Sequence, residues 1–322
     1  MEKTVHCEEG ENMKSDTFSI SGFFRWNRTD EQGISCACRA FADAGTRFLA
    51  VDAETVKTLP ENPDRMRQLC RLAADSGLVF RDAHAVWGPG YDLNELTDDL
   101  RLAVHEAVIP VLAENGVRTL TFHIGASCVY ETCDWVGNEE HYRSIALHAL
   151  ERLLKSAEKY RITLAVENCF EPSTVAGEAM NLVKPFRSEY LGVCLDCGHA
   201  NLMEPVKDRV VTDMVGYIQR AWKPGIPDFT PGIPEFMSPE IVTVHIHDND
   251  GLNDKHTLPD EYGTINWKRI AGVLARSPRL ISLQSEIELN AESSISIAEV
   301  TASFRKLETL FPPADVKSSN HN

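Results

Sequence analysis

The feature that most constrains this chain is a repeat of pattern. Short apolar runs of strand length alternate with longer amphipathic stretches along nearly the whole sequence. Strands are expected near Thr17 to Phe24, Arg47 to Asp52, Leu78 to His84, Thr119 to His123, Ile162 to Asn168, Leu191 to Asp196, Ile241 to His247 and Leu280 to Glu286. Helical periodicity falls between them, as in Asn62 to Ser76, where Met66, Leu69, Leu72 and Ala73 share one face. Further helices are expected over Ile34 to Ala44, Leu93 to Asn115 (with a kink at Pro110), Glu139 to Tyr160, Thr174 to Val183, Asp208 to Ala221, Asn266 to Arg276 and Ile297 to Leu310. Eight strands alternating with eight helices predict a single (β/α)8 TIM barrel with parallel strands rather than an open doubly wound sheet. The barrel is expected over 17–310, between a flexible arm (1–16) and a disordered tail (311–322). Pro224, Pro227, Pro231, Pro234 and Pro239 make 222–239 a loop, expected on the bottom face, away from any site.

What ends each strand carries the chemistry. His84, His123, Glu167 and Asp196 close four successive apolar runs, and His199 follows Asp196 by three residues. His245 and His247 close the seventh run, Asp254 and His256 follow in the next loop, and Glu286 closes the eighth. A single His near an apolar strand is most often a hydrogen-bonded core residue. Six successive strands delivering His, Asp or Glu to one rim point instead to a divalent metal, because mixed imidazole and carboxylate donors suit Zn, Mn or Co. In these barrels chemistry sits at the C-terminal ends of the strands.

Composition sets the compartment and limits the partners. No run approaches eighteen apolar residues, and the N-terminus lacks the apolar core of a secretory signal, so a cytoplasmic protein is expected. Its nine Cys are then mostly reduced, and Cys194 and Cys197 are read as strand packing rather than a redox pair. A net charge of −16, from 32 basic and 48 acidic residues, disfavours a nucleic-acid partner at long range. No membrane partner is expected, and a homo-oligomer is open.

The strand-end motifs resemble those of the xylose isomerase-like TIM-barrel superfamily, which includes sugar phosphate isomerases and epimerases and endonuclease IV. The matching segments are Asp82-Ala-His-Ala, Phe122-His-Ile-Gly, Ala165-Val-Glu-Asn, Gly192-Val-Cys-Leu-Asp-Cys-Gly-His-Ala, His245-Ile-His-Asp-Asn-Asp-Gly, Asp254-Lys-His and Leu283-Gln-Ser-Glu. The ketose epimerase branch implies one metal (Mn, Co, Zn or Mg) held by Glu167, Asp196, His245 and Glu286. His247 is the rival of His245, being two residues on and so on the same strand face. Glu288 is a weaker rival of Glu286. The resemblance also implies that His199 contacts substrate oxygen. His84, His123, Lys255 and Trp87 are further candidates for the substrate.

The expected chemistry is epimerisation or aldose–ketose isomerisation of a sugar or sugar derivative. Moving a proton beside a carbonyl needs a base, and an electrophile to hold the resulting enediolate. Glu167 and Glu286 are the candidates for proton transfer. Endonuclease IV implies a different outcome, with three Zn ions held also by His84, His123, His199, Asp254 and His256, and cleavage at abasic sites in DNA. The rim loops offer no Arg/Lys-rich segment with interleaved aromatics, which favours the sugar reading. A metal-dependent lyase acting on a sugar derivative is a further alternative, and a non-catalytic binding module a weaker one. Leu258-Pro-Asp-Glu-Tyr-Gly-Thr-Ile265 departs from the Gly-rich turn of many sugar-isomerase-like relatives, which weakens the case for a phosphorylated substrate. Arg25 is a possible anion or hydroxyl contact, though surface charge is the plainer reading. Trp26 and Trp135, with Trp87, are expected in rim loops, either stacking on a sugar or filling helix–barrel junctions.

Overall fold

The computed structural model describes residues 16–125, 135–206, 209–222, 227, 229–259 and 262–311. The expected arm, residue 16 apart, and the expected tail after 311 lie outside them. Eight parallel strands form the sheet: β1 (Ile20–Ser21), β2 (Phe48–Val51), β3 (Val79–His84), β4 (Thr119–Phe122), β5 (Thr163–Glu167), β6 (Leu191–Asp196), β7 (Ile241–Ile246) and β8 (Ser282–Ser285). From β2 to β8 each strand pairs with its sequence neighbour, and β1 pairs with β8. An isolated parallel bridge between Gly22 and Leu49 joins β1 to β2 and brings the ring to closure. Gly22 is required there, since a Cβ would lie 2.5 Å from the Phe41 ring. The fold is a (β/α)8 barrel.

The helices are α1 (Glu31–Asp43), α2 (Ala53–Thr58), α3 (Asp64–Ala74), α4 (Asp99–Glu114), α5 (Glu139–Tyr160), α6 (Ala176–Val183), α7 (Cys197–Met203), α8 (Asp213–Ala221), α9 (Ile233–Met237), α10 (Trp267–Leu274) and α11 (Ile297–Glu308). Their starts are set locally. Asp30, Asp98, Thr212 and Asn266 each accept a backbone N–H of the first turn, and Ser296 with Glu299 forms a capping box. Pro110 lies inside α4, which continues through it as one helix.

The proline-rich segment departs from expectation. Pro234 occupies the first turn of α9, where its missing N–H leaves no intrahelical bond unmade. α9 packs against β6, α6, α7 and α10, so part of 222–239 is barrel wall rather than bottom-face loop. The segment also begins at the pocket side, because Trp222 Nε1 donates to Phe170 O at 3.0 Å. Phe311, expected in the tail, is buried and stacks on Phe18 with centroids 4.8 Å apart.

Strand alternation sends every second residue into the barrel. The floor is polar: the buried Asp82 accepts from Thr119 Oγ1 at 2.6 Å, from Arg81 Nε at 3.1 Å and from Ser21. A middle layer holds Thr121, Thr243 and Gln284, with Gln284 Nε2 donating to Thr121 Oγ1 at 3.2 Å. Continuing the same parity upward places His84, His123, Glu167, Asp196, His245, His247 and Glu286 on the inner face at the C-terminal rim.

Candidate metal centre

Glu167 is the hub of the rim. It ends β5 fully buried, and four imidazoles surround its carboxylate. His84 Nε2 stands 3.3 Å and His123 Nε2 3.4 Å from Oε2, while His245 Nδ1 is 3.3 Å and His199 Nδ1 3.5 Å from Oε1. Asp196 is the second hub. It ends β6 and caps α7, accepting from His199 N at 2.6 Å. His247 Nε2 lies 3.1 and 3.0 Å from its two oxygens. Glu286 completes the ring, with Oε1 2.8 Å from His245 Nδ1 and Oε2 3.7 Å from His247 Nε2. Asp254 bridges His199 Nε2 and His256 Nε2, each at 3.4 Å.

Charge follows from this crowding. Burial alone raises carboxylates, but His245 and His123 hold Glu167 well below the usual range, and His199 and His247 do the same for Asp196. Burial lowers imidazoles, yet Asp196 and Asp254 carry His199 well above its ordinary value. His256, against burial, rises to about 9 beside Asp254 and Glu286. The buried carboxylates are thus held ionised by the imidazoles packed around them.

Several buried atoms here lack a hydrogen-bond partner: Glu167 Oε1, both ring nitrogens of His245, His247 Nδ1 and Asp254 Oδ1. Such orphans are costly unless something else satisfies them. Ligand atoms of His84, Glu167, His245 and Glu286 lie within 4.8 Å of one another, as do those of Asp196, His247 and Glu286, of Glu167, Asp196 and His199, and of His199, His247, Asp254 and His256. The residues present fit a divalent cation. Both His245 and His247 point into the cluster, so alternation along β7 makes both available.

The structure sorts the remaining candidates. A pocket of about 520 Å³ opens above the cluster, lined by Phe23, Arg25, Trp87, Asp92, Phe170 and Tyr217 among others. Trp87 is 54% exposed at its mouth, its ring 5.2 Å from that of His123. Lys255 is not brought to this pocket; it pairs with Asp250 at 2.9 Å on an adjoining groove. Glu288 is held by Arg25, away from the cluster. Trp26, in the loop after β1, packs rather than faces the pocket, being fully buried with Nε1 donating to Ala50 O at 2.8 Å. Trp135 is buried against Tyr142. Cys194 and Cys197 are free buried thiols, and burial pushes Cys194 up to about 12. Gly263 lies against Asp248, whose carboxylate accepts from Trp267 Nε1 at 2.6 Å and from Ile265 N at 3.3 Å.

Asn168 escapes a reading based on charged residues. Its side chain accepts from Asp196 N at 2.9 Å and donates to Asp196 O at 3.2 Å, clamping the β6 end. Its position directly after Glu167 was the available signal. Tyr217, Glu171 and Asp92 also line the pocket from outside the strand ends.

The model of the xylose isomerase-like TIM barrel family matches residues 38–298. The chain belongs to this family. A curated relative, the uncharacterised protein y4fM of Sinorhizobium fredii, is 25% identical over 268 residues, covering 72% of this chain and 70% of its own. Among solved structures, 3-keto-D-glucoside 4-epimerase from E. coli superposes with a TM-score of 0.63 at 14% identity, covering 90% of this chain and 99% of that one. A xylose isomerase-like TIM-barrel protein from Mycobacterium smegmatis in complex with magnesium gives 0.63 at 13% identity, covering 91% and 96%. Both likenesses are of fold. Among the described residues, no helix is long and apolar enough to cross a membrane.

Proposed function

We propose that this member of the xylose isomerase-like family is a divalent-metal-dependent isomerase or epimerase acting on a sugar or sugar derivative. The observation that carries the reading is the placement of Glu167 and Glu286. They approach His245 Nδ1 separately, at 3.3 and 2.8 Å, on the floor of the 520 Å³ pocket. Two carboxylates at one floor suit removal of a proton beside a carbonyl and its return elsewhere. Glu167, Asp196, Glu286 and His245 or His247 would hold the cation, which when bound supplies electrophilic stabilisation of developing oxyanion charge. His199, held by Asn168 O at 3.1 Å, would orient a substrate hydroxyl, with His84 beside Glu167 as a further contact. Phe23, Trp87 and Phe170 offer apolar faces on which a sugar ring can lie. Similar folds support this reading, since one belongs to a 3-keto-D-glucoside 4-epimerase and another to a protein in complex with magnesium.

The second reading is a trinuclear zinc phosphodiesterase of the endonuclease IV type. The group formed by His199, His247, Asp254 and His256 favours it, because it lies beside the Glu167 and Asp196 groups and offers further donors. The pocket walls argue against it. Arg25 is the one Lys or Arg lining the pocket among the described residues, and it is paired with Glu288 and Glu54. A nucleic-acid backbone is bound chiefly through cationic contacts.

The test is elemental analysis followed by incubation of the loaded protein with a panel of keto-sugars in D2O. About one metal per chain, with deuterium entering the carbon next to the carbonyl, is expected. Nearly three Zn per chain, with cleavage of abasic DNA and no deuterium uptake, would replace this reading with the second.

A further inference from the structure

Cys169 stands apart from the other described thiols. It continues the inward parity of Thr163, Ala165 and Glu167 two residues past the end of β5. Its backbone is fixed by the following turn, with Cys169 N donating to Thr174 O at 2.8 Å and Glu171 N to Thr174 Oγ1 at 3.1 Å. The residue is 8% exposed and forms part of the pocket wall. Its Sγ, a ring nitrogen of His123 and a carboxylate oxygen of Glu167 lie within 4.8 Å of one another. Donors about 2.0–2.3 Å from a common centre, the range of zinc–nitrogen and zinc–sulfur bonds, have mutual separations of this order. His123 Nε2 stands 3.4 Å from Glu167 Oε2, so this buried carboxylate already faces the imidazole that shares the corner with Cys169.

We propose that Cys169 is a metal ligand, a thiolate completing a His123–Glu167–Cys169 corner, and that it gives this site a preference for thiophilic cations. The inference rests on the reading that the rim binds a divalent metal. As the sulfur–metal bond forms, the thiol proton passes to solvent, and no oxidant or other reactant takes part. A sulfur donor favours Zn2+ and Co2+ over Mg2+ and Mn2+, which prefer oxygen. Without Cys169, the corner offers nitrogen and oxygen alone and discriminates less. The thiolate thereby selects the metal, while proton transfer stays with the carboxylates.

The test is cobalt substitution of the full chain. The protein is stripped with chelator, loaded with Co2+ and compared with Cys169→Ser, a substitution close to isosteric. Visible ligand-field bands report cobalt on nitrogen and oxygen donors. A near-ultraviolet sulfur-to-cobalt charge-transfer band reports a thiolate bond. The wild type is expected to show both. Cys169→Ser is expected to keep the visible bands, lose the charge-transfer band and lower the Zn2+-over-Mn2+ affinity ratio by about tenfold or more, the scale seen when a group supporting a metal is removed. Visible bands without charge transfer in the wild type would overturn the role of Cys169 and leave the metal site standing. So would a charge-transfer band that survives in Cys169→Ser. Absence of cobalt uptake would overturn the metal reading itself.

Discussion

His247 and His256 stack face to face, with ring centroids 3.8 Å apart and planes 8° from parallel. His256 reaches this position from a left-handed backbone, with φ of 45°. Its Nδ1 donates to Glu286 O at 2.9 Å, which leaves Nε2 directed at Asp254. The stack ties the Asp196–Glu286 group to the Asp254 loop. His256→Asn keeps a residue tolerant of left-handed backbone and removes the ring. With one metal per chain, held by Glu167, Asp196, Glu286 and a β7 histidine, this variant is expected to retain about one metal by elemental analysis. A fall from about three to about two would instead identify a trinuclear array.

Gly198 lies in the first turn of α7, where a Cβ would stand 2.0 Å from His247 Cε1. The His247 ring is fully buried and has no room to yield. Gly198→Ala is therefore expected to move His247 off Asp196. Overpacking of this kind costs about 1–3 kcal/mol, and loss of a supporting contact at a metal site lowers affinity about 10–100-fold. Urea unfolding of the metal-free protein measures the first effect, and calorimetric titration with Zn2+ the second. Unchanged affinity would show that His247 takes no part in binding metal.

The barrel was legible because alternation is local: a short apolar run between amphipathic stretches needs no distant partner to declare itself. His84, Glu167, Asp196 and Glu286 were visible for the same reason, since parity along a strand fixes which way each points. The loops were harder, because distant residues decide where they go. Trp26 allowed both a sugar-stacking and a junction-packing reading, and only the distant Ala50 O, which takes its Nε1, decides for packing. Lys255, a candidate for the substrate, is paired instead with the Asp250 carboxylate five residues earlier, outside the main pocket. Tyr217 reaches the pocket on a helix that the alternation assigned to the outer ring. Cys169 sits where parity would have pointed, and Asn168 directly follows Glu167 on the opposite parity, but neither carries a charge to draw notice.

Glu286 approaches His245 from the β8 side and Glu167 from the β5 side, so removing one carboxylate leaves the other in place. Glu286→Gln preserves size and one oxygen donor while removing the basic oxygen. General acid–base groups contribute about 10²–10⁴-fold, so kcat is expected to fall by at least about 100-fold on a turned-over sugar. Deuterium exchange into bound substrate should fall in parallel, with metal content near one. A variant that loses metal and activity together would place Glu286 as a ligand without a separate role in proton transfer.

His105 gives stability a pH dependence that is independent of the metal centre. It lies fully buried in α4, with Nε2 donating to Tyr91 O at 2.9 Å and its ring 5.3 Å from that of Phe122. Nδ1 has no partner, so a second proton there has nothing to receive it. Burial lowers this imidazole from 6.5 to about 4, with the Tyr91 carbonyl opposing the shift. Above about pH 6.5 the ring is neutral in both folded and unfolded chains, and its contribution does not vary. Between about 6.5 and 4 the unfolded chain takes up a proton that the folded chain refuses, so stability falls with falling pH. Below about 4 both forms are charged and the slope vanishes. The loss across this window is about 3 kcal/mol. His105→Gln keeps an amide donor for Tyr91 O and removes the titration. Urea unfolding at pH 7.5 and pH 4.5 is expected to show a smaller pH-dependent loss in the variant than in the wild type. Equal losses in the two proteins would mean that water reaches the ring and that His105 titrates as an exposed imidazole does.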